Sequence, residues 1–229
     1  MTVASSTSFS MNELCVSWKL STHLISQLPA DLHQLVICCI GSDRSTGDTL
    51  GPLVGTWLKE MHSFPLEVIG SLDQPLHALN LESTLLELQS RPIPPFIIAI
   101  DACLGRTHDI GTIIIENGPL LPGRAVQKEL PPIGDLSIKG IVNVSGYMEY
   151  AVLQSTRLHT PFQLSKIISR ALLLTWHRYQ LKVISNRNNE HHHEDTWQQI
   201  RYTDFRQPNH IESNRHDHNT ACSSHFLNE

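Results

Sequence analysis

Apolar positions along this chain follow two rhythms, and the switches between them predict its elements. Leu35 to Ile40 is a continuous apolar run bounded by turn-formers, which suits a strand buried on both faces. Pro52 lacks an N–H and fits only a helix's first turn, so a helix opens near Thr49 to Gly51 and runs through Trp57 to about Met61. Pro65 to Gly70 reads as a second strand. Leu76 to Leu88 carries leucines at helical spacing, with Asn80 or Ser83 as possible caps. Pro94 and Pro95 introduce an apolar strand, PFIIAIDA, that stops on Asp101. Gly111 to Glu116 and Leu136 to Val144 read as further strands, separated by an irregular, proline-rich loop from Pro119 to Gly134. Helices are expected over Gly146 to Leu158 and from Pro161 to about Gln180, the second with a stripe at Leu164, Ile167, Ile168, Ala171, Leu172 and Thr175.

Strand, helix, strand, helix, strand with near-continuous apolar strands argues for a mostly parallel sheet covered on both faces: an α/β, three-layer sandwich. Right-handed crossovers with one reversal give the order 2-1-3 for the first three strands of this pattern. The first and third are then neighbours, about 4.8 Å apart. On that order Asp48, in the loop after the first strand, and Asp101, at the end of the third, converge at the topological switch point.

The loop between the first strand and its helix, Gly41 to Gly47, is built of glycine, serine, threonine and aspartate, which suits a tight turn with exposed backbone N–H groups. Gly41, Asp43, Arg44, Ser45 and Gly47 are therefore the candidate substrate-binding residues. Arg44 has the reach to clamp a substrate carboxylate or to hold one aspartate ionised. Each aspartate alone has an ordinary explanation: Asp48 as a charge favoured at a helix N-terminus, Asp101 as a strand-end acceptor for loop amides. A local ion pair would account equally for Asp43 and Arg44. Lys128, Glu129 and Asp135 read as a solvated loop face, with a lid over the site as the sharper alternative.

Around this frame the character of the chain changes at both ends. Residues 1–33 are Ser/Thr-rich, and Leu20, Leu24, Ile25 and Leu28 predict a short helix at the edge of a domain spanning 34–182. Residues 183–229 hold half of the fourteen histidines among Asn, Asp, Glu and Arg without periodicity, which predicts a disordered tail. His191, His192 and His193 invite a metal reading, yet no second cluster has ligand spacing, so neither a metal nor a cofactor is expected. The net charge of −5 gives no basic face for nucleic acid, and no apolar run approaches the roughly 20 residues of a membrane helix. Five cysteines without C-x-x-C spacing, and an N-terminus without a charged start and apolar block, predict a reduced, cytoplasmic protein. Cys103 has no paired histidine in view and reads as a buried thiol. Ser45 lacks the G-x-S-x-G elbow of a serine hydrolase. Oligomeric state is left open.

Three stretches together, GSDRSTGDTLGPLVG, IAIDACLG and LPGRAVQKELPPIGDLSIKGIVNVSG, resemble the YyaC family of sporulation proteins. That family is similar to the spore germination protease and, more remotely, to hydrogenase maturation endopeptidases. The resemblance covers about Leu35 to Tyr179 and implies a phosphorylase/hydrolase-like fold. In the germination protease, a D-A-L-G-P segment and an A-I-D-A strand end carry the catalytic aspartates. These match Asp48-Thr49-Leu50-Gly51-Pro52 and Ala99-Ile100-Asp101-Ala102 here. In the hydrogenase peptidases the same places hold acidic nickel-sensing ligands with a histidine as third, for which His159 is the nearest counterpart. The resemblance implies peptide-bond hydrolysis in the cytoplasm, forespore or spore interior, on a peptide or protein substrate. A non-catalytic protein that binds a peptide in the same cleft is the alternative, and a metal-dependent peptidase is the third.

Overall fold

A computed structural model describes residues 6–122 and 130–203 of the 229-residue chain, with side chains to residue 185. In chain order the elements are β1 (Ser6–Ser10), α1 (Val16–Gln27), β2 (Leu35–Cys39), α2 (Leu50–Glu60), β3 (Glu67–Ile69), α3 (Leu81–Gln89), β4 (Phe96–Gly105), β5 (Thr112–Asn117), β6 (Leu136–Val144), α4 (Glu149–Gln154) and α5 (His159–Thr203). The six strands form one sheet in the order β1-β5-β6-β4-β2-β3. β3, β2, β4 and β6 run parallel to one another, while β5 is antiparallel to both β6 and β1. The expected neighbouring of the first and third apolar strands is thus the observed β2–β4 pair.

Alternation along β2 and β4 divides the core between two faces. Leu35, Ile37, Cys39, Ile98 and Ile100 pack with α1, α2 and α5 on one side. Val36, Cys38, Ile40, Ile97 and Ala99 pack with α3 and the segments around Leu120 and Ile133 on the other. Every residue of β2 is buried, which explains its unbroken apolar run. Truncating a fully buried side chain such as Ile98 or Leu50 to alanine would cost about 2–5 kcal/mol.

Four boundaries differ from the pattern-based expectation. β4 does not stop on Asp101 but continues to Gly105, because β6 pairs with it along that whole length. α3 starts at Leu81 rather than Leu76, since the Asn80 carboxamide folds the preceding turn by accepting from the His77 N–H and donating to the Pro75 carbonyl. The N-terminal stretch contributes an edge strand, β1, that its single apolar residue, Phe9, did not announce. The last helix passes Gln180 and is helical to Thr203, and no proline or glycine interrupts that stretch.

By contacts the chain divides into two compact units, Met1–Ile184 and Ser185–Glu229. The second is helical to Thr203, and the rest of the expected tail lies outside the described residues. The composition of that tail predicts that ending the chain after Ser185 leaves the core intact. Thermal melts of the full-length and shortened proteins are expected to overlay; a fall of many degrees would show that the tail carries core stability.

Candidate functional site

The site is organised by a notch in the sheet. β2 ends at Cys39, and Ile40 makes one last bond, its N–H donating to the Ile100 carbonyl at 2.8 Å. β4 runs five residues further, so from Asp101 onward its free edge faces the loop that follows β2 instead of a strand. The 3-10 turn Gly47–Thr49, which carries Asp48, leads directly into α2 and contacts β4 there.

Backbone contacts hold that loop. Gly41 has φ +142° and lies against the Asp48 carbonyl, where a Cβ would collide; its N–H donates to the Leu76 carbonyl at 2.9 Å. The Ser42 N–H donates to the Asp48 carbonyl (3.1 Å), the Asp48 N–H to the Ser45 carbonyl (3.0 Å), and the Arg44 N–H to Ser42 Oγ (3.2 Å). These donors are engaged within the fold, so the loop does not offer the row of open amides that its composition suggests. On its far side Gly47 packs directly on Leu153 and Thr156 at the end of α4. Asn143 at the end of β6 ties α4 in place, its Nδ2 donating to Thr156 Oγ1 (3.1 Å) and to the Val152 carbonyl (3.4 Å).

The predicted site residues therefore take different positions. Asp48 and Asp101 are both half-buried and lie beside the notch. Asp43 and Arg44 are exposed, and no ion pair joins them among the described residues. Ser45 is only 8% exposed and its hydroxyl is enclosed without a hydrogen-bond partner, so it faces the interior. Gly41 and Gly47 serve the close approach of backbone and side chains. Asp135 is not a free loop charge: its carboxylate accepts from the Ile97 N–H at 2.8 Å and its own N–H donates to the Ile97 carbonyl. Lys128 and Glu129 lie outside the described residues.

Burial dominates the electrostatics of both aspartates. It raises the Asp48 carboxyl to about 6, with the Ser42 N–H pulling the other way. Asp101 is pushed well above the usual carboxylate range, first by burial and then by the charge of Asp48. A hydrogen bond from the Ala102 N–H to Asp101 Oδ1 (2.8 Å) and the charge of Lys139 oppose that rise. Burial and Asp101 together raise the Cys103 thiol to about 12, so it stays protonated and is a poor nucleophile.

Lys139 is the residue that the sequence pattern did not single out. It sits opposite Asp101 in the β4–β6 register, and its Nζ lies 2.6 Å from Glu116 Oε2 on β5. A lone lysine inside an otherwise apolar strand was the available signal. Among the described residues no three or more His, Cys, Asp and Glu side chains are grouped to hold a metal ion, and His159 stands exposed at the start of α5. No helix among them is long and apolar enough to cross a membrane. A depression lined by Leu85, Leu88, Pro95, Ile97 and Asp135 lies at the opposite, amino end of the parallel strands and holds neither notch aspartate.

The fold is an α/β sheet of the order β1-β5-β6-β4-β2-β3, its parallel strands feeding polar loops at one end. Residues 8–171 match the family described as "Protein of unknown function (DUF1256)", and the chain belongs to it. It is 50% identical over 141 residues to the protein named "Uncharacterized protein YyaC" of Bacillus subtilis (strain 168), an alignment covering 62% of this chain and 69% of that protein. Among solved structures it is similar to the [NiFe] hydrogenase maturation protease HycI from Thermococcus kodakarensis KOD1, at 20% identity and a TM-score of 0.38, over 66% of this chain and 98% of that one.

The raised carboxyls make a prediction about stability. A carboxyl whose folded pKa lies above its unfolded value binds its proton more tightly in the native state. For Asp48 stability therefore falls as pH rises from about 4 to about 6 and stays reduced above that. Asp48→Asn and Asp101→Asn are each expected to leave stability unchanged or raise it by roughly 1–2 kcal/mol at pH 7.5. The gain should shrink below pH 4. Urea melts at the two pH values check this, and a loss at pH 7.5 would mean that the carboxylates make stabilising contacts.

Proposed function

We infer that this protein is a peptidase-like protein that hydrolyses peptide bonds with Asp48 and Asp101 as an acid–base pair. The observation that carries this reading is electrostatic: two carboxyls distant in sequence share the notch beyond the end of β2, both are raised, and Asp48's charge is felt at Asp101. Two carboxyls so coupled hold one proton between them near neutral pH. The ionised one takes a proton from water as that water attacks the peptide carbonyl. The protonated one donates to the carbonyl oxygen or to the leaving nitrogen. Microscopically the pair ends each cycle with the protonation it began with, as a hydrolase requires.

The substrate is a peptide or protein segment, and exposed Arg44 beside the notch is suited to pair with a carboxylate on it. The setting that the resemblance implies is sporulation, in the cytoplasm, forespore or spore interior. The chain's 50% identity to YyaC supports the resemblance on which that setting rests.

Asp48→Asn and Asp101→Asn are each expected to lower peptide hydrolysis by about 100-fold or more while the fold persists, because the amide keeps the shape and loses the proton-transfer role. The measurement is cleavage of small acid-soluble spore proteins, or of a peptide library, by wild type and each variant, with and without chelator. Cleavage that survives both substitutions would remove the aspartates from catalysis. Cleavage stopped by chelator alone would favour a metal-dependent reaction. Peptide binding without cleavage by wild type would make the notch a binding cleft.

A further inference from the structure

The sheet carries a second feature at the notch. Paired residues on neighbouring parallel strands project to the same face, about 4.8 Å apart. Asp101 and Lys139 are such a pair. Lys139 does not close an ion pair on Asp101; its ammonium is taken by Glu116, across β5–β6. Glu116 is opposite Ser137, two residues along from Lys139 on the same face, a diagonal that two long side chains span. The three side chains thus run across β4, β6 and β5 in the order Asp101, Lys139, Glu116.

The geometry points to Lys139 as a positioning residue of this site: anchored by Glu116, it fixes a positive charge beside Asp101 that lets this carboxyl release its proton although Asp48 beside it is ionised. This rests on the reading of Asp48 and Asp101 as the working pair.

Two observations favour this over an ion pair that merely decorates the sheet. Lys139 and Glu116 keep 29% and 32% side-chain exposure, and a pair so hydrated contributes only about 0–1 kcal/mol to stability. That is a weak reason to place a lysine in the middle of a strand flanked by partners on both sides. The notch, in contrast, has a specific need. Burial and the charge of Asp48 both act against ionisation of Asp101, and an Asp101 that could not release its proton could not serve as the acid of the pair. Among the described residues, the groups acting on Asp101 are Asp48 from the loop side, the Ala102 N–H on its own strand and Lys139 from β6, with the thiol of Cys103 further along β4 and Glu116 beyond Lys139. Lys139 is the only cation of that set. Glu116 restrains a flexible four-carbon side chain and keeps the ammonium from swinging onto Asp101, where a direct pair would remove the aspartate from proton transfer.

The test is a pH titration of the Asp101 side-chain carboxyl by carbon-13 NMR on the full chain, with the signal assigned by its loss in D101N. In K139M the midpoint is expected to rise by about half a pH unit or more, and in K139R to return to within about 0.2 unit of wild type. The double variant E116Q/K139M, which leaves no unpaired charge on the sheet, should keep a raised midpoint, and it carries the same measurement if K139M fails to fold. A midpoint unmoved in K139M overturns the proposal. So does one raised in K139M and restored in the double variant, since that marks an unpaired Glu116 as the cause. The titration needs no turnover: a raised midpoint in K139M supports Lys139's role even where the peptide assay fails, and that failure then counts against the peptidase reading alone.

Discussion

Everything at the notch depends on backbone touching backbone at the end of β2. Gly51 in the first turn of α2 rests on the Ile40 carbonyl, Gly55 one turn later rests on the Gly70 carbonyl, and Gly41 rests on the Asp48 carbonyl. A side chain at any of these would force helix and strand apart, and overpacking of that kind costs about 1–3 kcal/mol or more where the obstacle is backbone. The three contacts fix where α2 begins and so where Asp48 stands. They also explain why the loop can be so short and still return its carbonyls and amides to one another. The Asp48 backbone is thereby packed against Gly41 and bonded to Ser42 and Ser45.

Burial raises both carboxyls, and the charge of Asp48 adds to the rise at Asp101, while the packing around the loop holds the Asp48 backbone in place. A flexible loop would let Asp48 swing into water and recover its solvation, which is worth more than 1 kcal/mol for a group whose pKa has moved by a unit. Here the loop is locked from three directions: by Gly41 against its own backbone, by α2 behind it, and by α4 pressed onto Gly47. α4 is in turn tied to β6 by Asn143. The same strand therefore supplies Lys139 to one side of the notch and braces the loop on the other.

How much of this was legible in the sequence depends on what each element uses to hold itself. β2, α2 and the apolar half of β4 were legible because burial on both faces writes an unbroken apolar run, and the order β3-β2-β4 followed from the crossovers. That order also led to the expectation that Asp48 and Asp101 converge. β1 was not legible: an edge strand of Ser, Thr and one Phe is held by hydrogen bonds to β5, which leave no hydrophobic signature. The continuation of β4 past Asp101 was hidden for the same reason, since pairing with β6 sustains it after the apolar run ends. The loop's amides looked open because composition cannot say where an N–H points, and the Ser42, Arg44 and Asp48 donors proved to be spent internally. Asp135 looked solvated because its acceptor role toward Ile97 is a contact across 38 positions of chain.

The mixed character of the sheet has its own place in this arrangement. A purely parallel sheet would reach β6 and continue with another crossover, bringing a strand whose polar residues lie at its carboxyl end beside the notch. β5 instead runs antiparallel to β6, and its register sets Ile114 opposite Lys139 and Glu116 opposite Ser137. Glu116 thereby lies toward the amino end of β6, behind Lys139 as seen from the notch. The lysine is drawn along the sheet toward Glu116, yet remains across from Asp101 in the β4–β6 register. Had the acid stood at the position of Thr112, near the carboxyl end of β6, the ammonium would be drawn out over the notch itself. Strand polarity, and not the charge inventory alone, decides on which side of Lys139 its acidic partner stands.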